Sequence, residues 1–169
     1  MERPDAPTDE VDHLVTAWQR ERPDLDVSPL EVLSRVSRLA RHLDLARGQA
    51  FDAHRLETWE FDVLAALRRS GAPYELSPGR LLQQTLVTSG TMTNRIDRLA
   101  AARLVERRPD PHDRRGVIVR LTEAGRTRVD AALTDLLVQE REILAGLGPA
   151  ERTALADMLR MLVVPFDRA

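Results

Sequence analysis

Residues 77–99 read SPGRLLQQTLVTSGTMTNRIDRL, and this stretch decides the fold. Ser77 followed by Pro78 predicts a helix start, because serine caps the first free amides and proline suits the first turn. The short helix that follows leads through a tight connection at 87–89 into a second helix. In the second helix, apolar side chains recur at helical spacing and predict one buried face: Met92, Ile96 and Leu99. Two helices joined in this way predict a helix-turn-helix.

A β-hairpin is predicted directly after these helices. Residues 104–108 (LVERR) and 116–121 (GVIVRL) are rich in strand-forming residues and lie on either side of the loop PDPHDRR. The fold class that follows is mainly α with a small β-hairpin wing, that is, a winged helix-turn-helix.

The remaining segments predict five more helices. The first spans about 9–20, with Thr8 as its N-cap, and the others begin at Ser28, span 57–69, span 122–146 and follow Pro149. The terminal helices carry apolar stripes that one chain has too little core to cover, so we expect a homodimer. A self-contained helical bundle is the alternative.

Three segments follow from this order of elements. Residues 1–56 are predicted to form an N-terminal extension with dimerisation helices, residues 57–122 the winged helix-turn-helix DNA-binding domain, and residues 123–169 the C-terminal dimerisation helices.

The charge is distributed unevenly along the chain. Residues 79–128 hold eleven arginines and five acids, a charge of +6, which leaves −8 for the rest of a chain whose net charge is −2. An acidic protein with one basic segment can bind a polyanion there while its other surface repels it. There is no cysteine, no apolar stretch at the amino terminus and no run long enough to span a bilayer, so we expect a cytoplasmic protein without disulfides or membrane contact.

The candidate DNA contacts lie in the helix-turn-helix and the wing. A recognition helix presents polar side chains from its first turns to base edges in the major groove. The groups placed to do so are Ser89, Thr91, Thr93, Asn94, Arg95 and Arg98. Ser77 and Arg80 on the preceding helix join them, and Arg114 and Arg115 at the wing tip suit a narrow, electronegative minor groove. Asp113 is expected to support the wing by holding an arginine, because phosphates repel a carboxylate.

Two other classes of function compete with a DNA-binding protein. An enzyme is disfavoured, because the chain has no nucleophile elbow, no phosphate-binding loop and no histidine spacing typical of a metal site, so no catalytic residue, cofactor or metal is predicted. A winged helix used for protein contact, without specific DNA readout, stays open. It predicts weak DNA binding that is indifferent to sequence.

At these residues the chain resembles the MarR family of winged-helix regulators. The resemblance covers most of the chain and is strongest over 59–125. It rests on three stretches: FDVLAAL, residues 77–99 quoted above, and DRRGVIVRLTEAG. It implies an obligate homodimer, a palindromic operator in double-stranded DNA and, usually, repression relieved by a small ligand. It assigns base contact to 89–95, wing support to Asp113 and minor-groove insertion to Arg115. Arg103 departs from the family's usual glycine; if that position needs a positive φ, arginine costs about 1 kcal/mol there.

A finer resemblance is to the urate-responsive subgroup, which has an additional N-terminal helix carrying a tryptophan, here Trp18. It implies a ligand site made of Trp18, Asp62, Arg95 and Arg107. An anionic heterocycle suits arginine and a flat apolar wall, and Asp62 could exchange an arginine partner for the ligand. If Arg95 serves both pocket and recognition helix, ligand binding weakens DNA affinity. The alternatives are another aromatic or carboxylate anion, and a Trp18 that only packs the extension onto the core.

Overall fold

The computed structural model describes residues 8–85, 89–111, 113 and 116–167. The elements follow in the order α1 (Glu10–Glu21), α2 (Ser28–Asp52), α3 (Thr58–Arg69), β1 (Glu75–Leu76), α4 (Pro78–Thr85), α5 (Ser89–Ala101), β2 (Val105–Pro109), β3 (Val117–Leu121), α6 (Glu123–Ile143) and α7 (Pro149–Asp167). This mainly helical fold with a small sheet is the predicted one. The chain divides into two units, of which the first ends at Leu45 and the second begins at Ala46.

The first unit contains α1 and most of α2. The prediction of Thr8 as the N-cap of α1 is wrong by one residue, because Asp9 holds that position. Its Oδ1 accepts the Val11 amide at 2.8 Å, and Asp12 Oδ2 accepts the Asp9 amide at 2.7 Å, which completes a capping box. Val11 and Val15 on this helix are buried.

An arginine on α2 joins the two helices of this unit. The Arg35 guanidinium bonds to Asp9 through Nε at 2.8 Å and to Asp12 through Nη2 at 2.7 Å. The hydrogen bond from Arg35 is the main reason why the pKa of Asp9 lies below its ordinary value. The Arg35 guanidinium therefore ties α1 to α2 through one network of charges.

The core of the second unit is built around α3. Its buried side chains are Phe61, Val63, Leu64, Ala65, Ala66 and Leu67. Phe51, at the end of α2, stacks on Phe61 with ring centroids 4.1 Å apart. Helix α3 packs against α4 and α6, and α4 packs against α5. The helix-turn-helix is therefore fixed to a rigid apolar centre.

The sheet has three antiparallel strands in the order β1-β3-β2. Strands β2 and β3 form the predicted hairpin, with Arg107 opposite Val119. Strand β1 was not predicted: it pairs Glu75 with Arg120 and Leu76 with Val119. Two residues are too short for an alternating pattern, so only the tertiary contact reveals this strand.

The turn after α5 explains the unusual arginine in the sequence. Arg103 has φ 60°, so the predicted need for a positive φ is confirmed. The Arg103 amide donates to Ala100 O at 2.9 Å and the Leu104 amide donates to Leu99 O at 3.0 Å. These two bonds form a Schellman motif, in which glycine is the usual residue at the left-handed position.

The start of α6 packs closely against this turn. Thr122 caps the helix, because its Oγ1 accepts the Gly125 amide at 3.0 Å. A Cβ on Gly125 would lie 2.1 Å from the carbonyl oxygen of Leu104 and 2.9 Å from Cδ1 of Leu121. Only glycine therefore allows α6 to approach the strand that begins the wing.

Helix α7 differs from the helices of the core in its burial. None of its residues, all of which lie in the described part of the chain, is buried. Large apolar side chains on it are exposed: Met158, Leu159, Met161, Leu162, Val163 and Phe166.

No helix within the described ranges has the length and apolar character needed to cross a membrane.

Candidate nucleic-acid interface

Helix α5 has one apolar and one polar face. Met92, Ile96 and Leu99 are buried as predicted, with at most 1% of each exposed. The opposite face exposes Thr91, Thr93, Asn94 and Arg98, with Arg95 half-buried beside them. The backbone of Ser89 begins the helix. Five of the predicted contact residues therefore share the outward side of α5.

Helix α4 places the remaining helical candidates. Ser77 Oγ accepts the amide of Arg80 at 3.3 Å, so Ser77 caps α4 as the sequence predicts. The Arg80 side chain is exposed, whereas Ser77 is half-buried. Arg80 is therefore the more accessible of the two.

The wing tip is described only in part. The Gly116 amide donates to the carbonyl oxygen of Asp113 at 2.8 Å, which closes the loop between β2 and β3. Arg114 and Arg115 lie outside the described residues. The roles assigned to these two arginines and to Asp113 stay predictions.

A cluster that the sequence did not predict lies beside α5. The guanidinium carbon of Arg98 lies 4.7 Å from the centre of the Trp59 ring, and that of Arg95 lies 5.3 Å from it. Arg98 Nη2 also bonds to Glu57 Oε1 at 2.5 Å, and Trp59 Nε1 donates to Glu57 Oε2 at 2.7 Å. Arg98 and Glu57 are 41 positions apart, so no local pattern could have joined them. We call Glu57, Trp59, Arg95 and Arg98 the Trp59 cluster.

The electrostatics of this cluster centre on one carboxylate. The pKa of Glu57 is lowered, first by the hydrogen bond from the Trp59 indole and then by the bond from Arg98. Glu57 is therefore ionised at neutral pH and compensates the charge of Arg98. Next to it lies a shallow depression of about 470 Å³ that is lined by Trp59, Gly90, Thr91, Asn94, Arg95 and Arg98.

Strand β2 is tied to α5 by a second arginine. Arg107 Nη2 lies 2.6 Å from Asp97 Oδ1 and 3.5 Å from the carbonyl oxygen of Thr93. This bond links the wing to the recognition helix.

The residues of the predicted ligand site have separate partners. Asp62 pairs with Arg47 at 2.9 Å, whereas Arg95 lies over Trp59 and Arg107 pairs with Asp97. Trp18 belongs to α1 in the first unit, and 48% of it is exposed. Arg47, which also lies 5.7 Å from the Phe51 ring centre, was missed by the sequence analysis.

A two-faced helix that follows a short helix and is bonded to an antiparallel hairpin has the arrangement of a winged helix-turn-helix, a fold class in which the second helix commonly enters the major groove of DNA. Over the described residues, no group of three or more histidine, aspartate or glutamate side chains could hold a metal ion.

Comparison with known proteins identifies the family. Residues 56–116 match the MarR family. The chain is 38% identical over 150 residues to the HTH-type transcriptional regulator PecS of Dickeya dadantii, covering 89% of this chain and 90% of PecS. It is 34% identical to the HTH-type transcriptional repressor NicR of Pseudomonas putida, covering 86% of this chain and 92% of NicR. The chain belongs to the MarR family of transcriptional regulators.

A solved structure agrees with this assignment. Bordetella bronchiseptica BpsR, described as having its DNA binding regulated by 6-hydroxynicotinic acid, superposes with a TM-score of 0.65 at 30% identity. The match covers 78% of this chain and 91% of BpsR. The prediction of a transcription regulator rather than an enzyme is thereby confirmed.

Proposed function

We propose that this protein is a ligand-responsive repressor that binds a palindromic operator as a homodimer and is released from it by a small anionic ligand such as urate. The observation that carries the DNA-binding part is the outward face of α5. Thr91, Asn94, Arg95 and Arg98 lie on that face, opposite a fully buried apolar side. Hydroxyl, amide and guanidinium groups on one accessible helix face are the groups that read base edges and hold phosphates.

The homodimer is supported by the exposed apolar face of α7. Met161 is 69% exposed and Phe166 is 80% exposed, next to Leu162 and Val163 at 50% each. A contiguous apolar surface of this kind is costly in water, and a two-fold interface buries it on both copies at once. A dimer also carries two copies of α5, which matches an inverted repeat in DNA.

A gel-shift titration tests the DNA-binding part. The probes are the DNA upstream of the protein's own gene and a scrambled duplex of equal length, each titrated at increasing salt. Specific reading predicts tight binding to the upstream DNA, with half-sites about 10 bp apart and an affinity that falls steeply with salt. Equal, weak binding to both duplexes would favour the protein-contact alternative.

The ligand-responsive part is supported by the ion pairs around α5. An anion that takes Arg107 from Asp97 would break the bond between β2 and the recognition helix. An anion that takes Arg47 would release Asp62. If the ligand binds more tightly to one position of α5 and DNA to another, ligand binding lowers the affinity for DNA. The size of the decrease is set by the difference in ligand affinity between the two positions.

The chemistry of the ligand follows from the residues proposed for it. Arginines select an anion, and an exposed tryptophan offers a planar wall, so a flat anionic heterocycle is the expected class. BpsR, whose DNA binding is regulated by an aromatic carboxylate, supports the wider class of aromatic anions.

Thermal shift with urate, xanthine, salicylate and 6-hydroxynicotinate identifies the ligand, because a compound that binds the folded protein raises its Tm. The compound that raises Tm should also release DNA in the gel shift. If urate is the ligand, it quenches Trp18 emission, and Trp18→Phe removes that change. Saturating urate that leaves both Tm and the gel shift unchanged rules out urate and leaves the other anions.

A further inference from the structure

The polar side of α5 includes a carboxylate that a DNA-binding surface would be expected to avoid. Glu57 lies 2.5 Å from Arg98, at the edge of the surface that carries the proposed base and phosphate contacts. A carboxylate there repels phosphates and reduces the attraction of the arginine beside it. The position of Glu57 therefore needs a reason.

The structure holds Glu57 in this position by bonds on both oxygens. Oε2 accepts the indole N–H of Trp59 at 2.7 Å, which directs Oε1 toward Arg98. The backbone amide of Glu57 donates to Glu60 Oε2 at 3.0 Å, at the start of α3. The guanidinium carbon of Arg98 also lies 4.7 Å from the centre of the Trp59 ring, so the indole contacts the cation as well as the carboxylate.

This geometry reproduces a phosphate contact within the protein. A carboxylate and a phosphate offer the same kind of oxygen acceptors to a guanidinium, so one arginine cannot bond fully to both. Any duplex, whatever its sequence, must displace Glu57 before a phosphate can bind Arg98. Since phosphate contacts supply almost all of non-specific binding, this competition lowers the affinity for random DNA.

We propose that Glu57 is an internal competitor for Arg98, which lowers the affinity of the protein for every duplex by occupying a guanidinium that would otherwise bind phosphate. Trp59 is its positioning residue, because the indole orients the carboxylate. The inference rests on the proposed role of α5 in binding DNA.

The decisive variant is Glu57→Gln. Its amide oxygen still accepts the Trp59 N–H, but the amide nitrogen that then faces Arg98 accepts no bond, so the charge and the bond to Arg98 are lost together. Asp24→Asn is the matched control, because Asp24 is paired with Arg22 between α1 and α2, outside α5 and α7, and the change in net charge is the same. Arg98→Gln and the double variant complete a cycle that isolates the pair.

Binding is measured by fluorescence anisotropy with two duplexes, one of scrambled sequence and one selected from random sequences by the wild-type protein. At about 0.1 M salt, Glu57→Gln should bind the scrambled duplex about fivefold more tightly, and the slope of log affinity against log salt should steepen by about 0.9, as for one added phosphate contact. Affinity for the selected duplex should rise by the same factor, because the cost of displacing Glu57 is the same for every duplex, so the ratio of the two affinities should stay constant. In the Arg98→Gln background, Glu57→Gln should have no such effect.

The inference is overturned if Glu57→Gln binds the scrambled duplex no more tightly than the wild type or Asp24→Asn does. It is also overturned if the gain persists without Arg98, or if only one of the two duplexes gains. The two kinds of failure can be told apart. If the wild-type protein binds neither duplex, the proposed function itself is contradicted. If the wild type binds DNA and Glu57→Gln changes nothing, only this inference fails.

Discussion

Replacing Arg103 by glycine should stabilise this protein, although the change removes a whole side chain. Arg103 has φ 60°, in the Schellman turn that ends α5, and its side chain is exposed. A residue with a Cβ costs about 1–2 kcal/mol in this conformation, whereas glycine adopts it freely. Glycine also gains entropy in the unfolded chain, which offsets about 0.5–1 kcal/mol of that benefit. The expected net gain is about 0.5–1 kcal/mol.

Urea unfolding followed by circular dichroism, at one fixed protein concentration because of the proposed dimer, measures this gain. The midpoint should rise without a change in slope, and Tm should rise by about 2–3 °C for a chain of this size. Arg41→Gly is the matched control, since Arg41 is exposed in the middle of α2, where φ is helical. There the same substitution should cost about 1 kcal/mol.

Opposite signs for the two substitutions would show that backbone conformation, and not the loss of an arginine, sets the effect. If Arg103→Gly left the midpoint unchanged or lowered it, the assignment of strain to this turn would be refuted. DNA affinity is measured in parallel, because the turn connects α5 to the wing.

Three other perturbations test separate parts of the account. Gly125→Ala should destabilise the fold by about 2–4 kcal/mol, because the alanine Cβ would lie 2.1 Å from the carbonyl oxygen of Leu104. Urea unfolding measures this loss of stability, and a loss under about 1 kcal/mol would mean that α6 moves away easily. Arg115→Ala should lower operator affinity by about 1–3 kcal/mol while sedimentation shows the dimer intact, and unchanged binding would remove the wing tip from DNA recognition. The hydrogen bond from Arg35 lowers the pKa of Asp9 in the folded protein below its ordinary value of 3.8. This pair therefore stabilises the fold at pH values above 3.8, and the contribution disappears as the pH falls through the pKa of Asp9 in the folded protein. The Tm difference between wild type and Arg35→Gln should therefore be present at neutral pH and vanish in strong acid, and an equal difference at both pH values would argue against the charge pairing.

The parts of the fold that local chemistry dictates could be predicted from the sequence. Ser77 and Pro78 mark the start of α4 because capping acts within one turn. Met92, Ile96 and Leu99 predicted the buried face of α5 because helical periodicity orders side chains on one side. The turn at Arg103 is different, because only the resemblance to the MarR family, in which glycine is usual at this position, indicated a positive φ there.

Features that depend on distant residues could not be predicted. Strand β1 has two residues and exists only because β3 pairs with it. The bond of Glu57 to Arg98 joins α3 to α5, and the pair of Arg47 with Asp62 joins α2 to α3. Such contacts form where elements pack together, and the packing geometry is not written in any short stretch of sequence.

The most direct test of the central claim is the stoichiometry of the protein on DNA, measured by analytical ultracentrifugation with a duplex selected by the protein itself. We predict two chains per duplex, a selected sequence that is an inverted repeat with half-sites about 10 bp apart, and an affinity that falls steeply with salt. A protein that sediments as a monomer at every concentration and selects no inverted repeat would contradict the account.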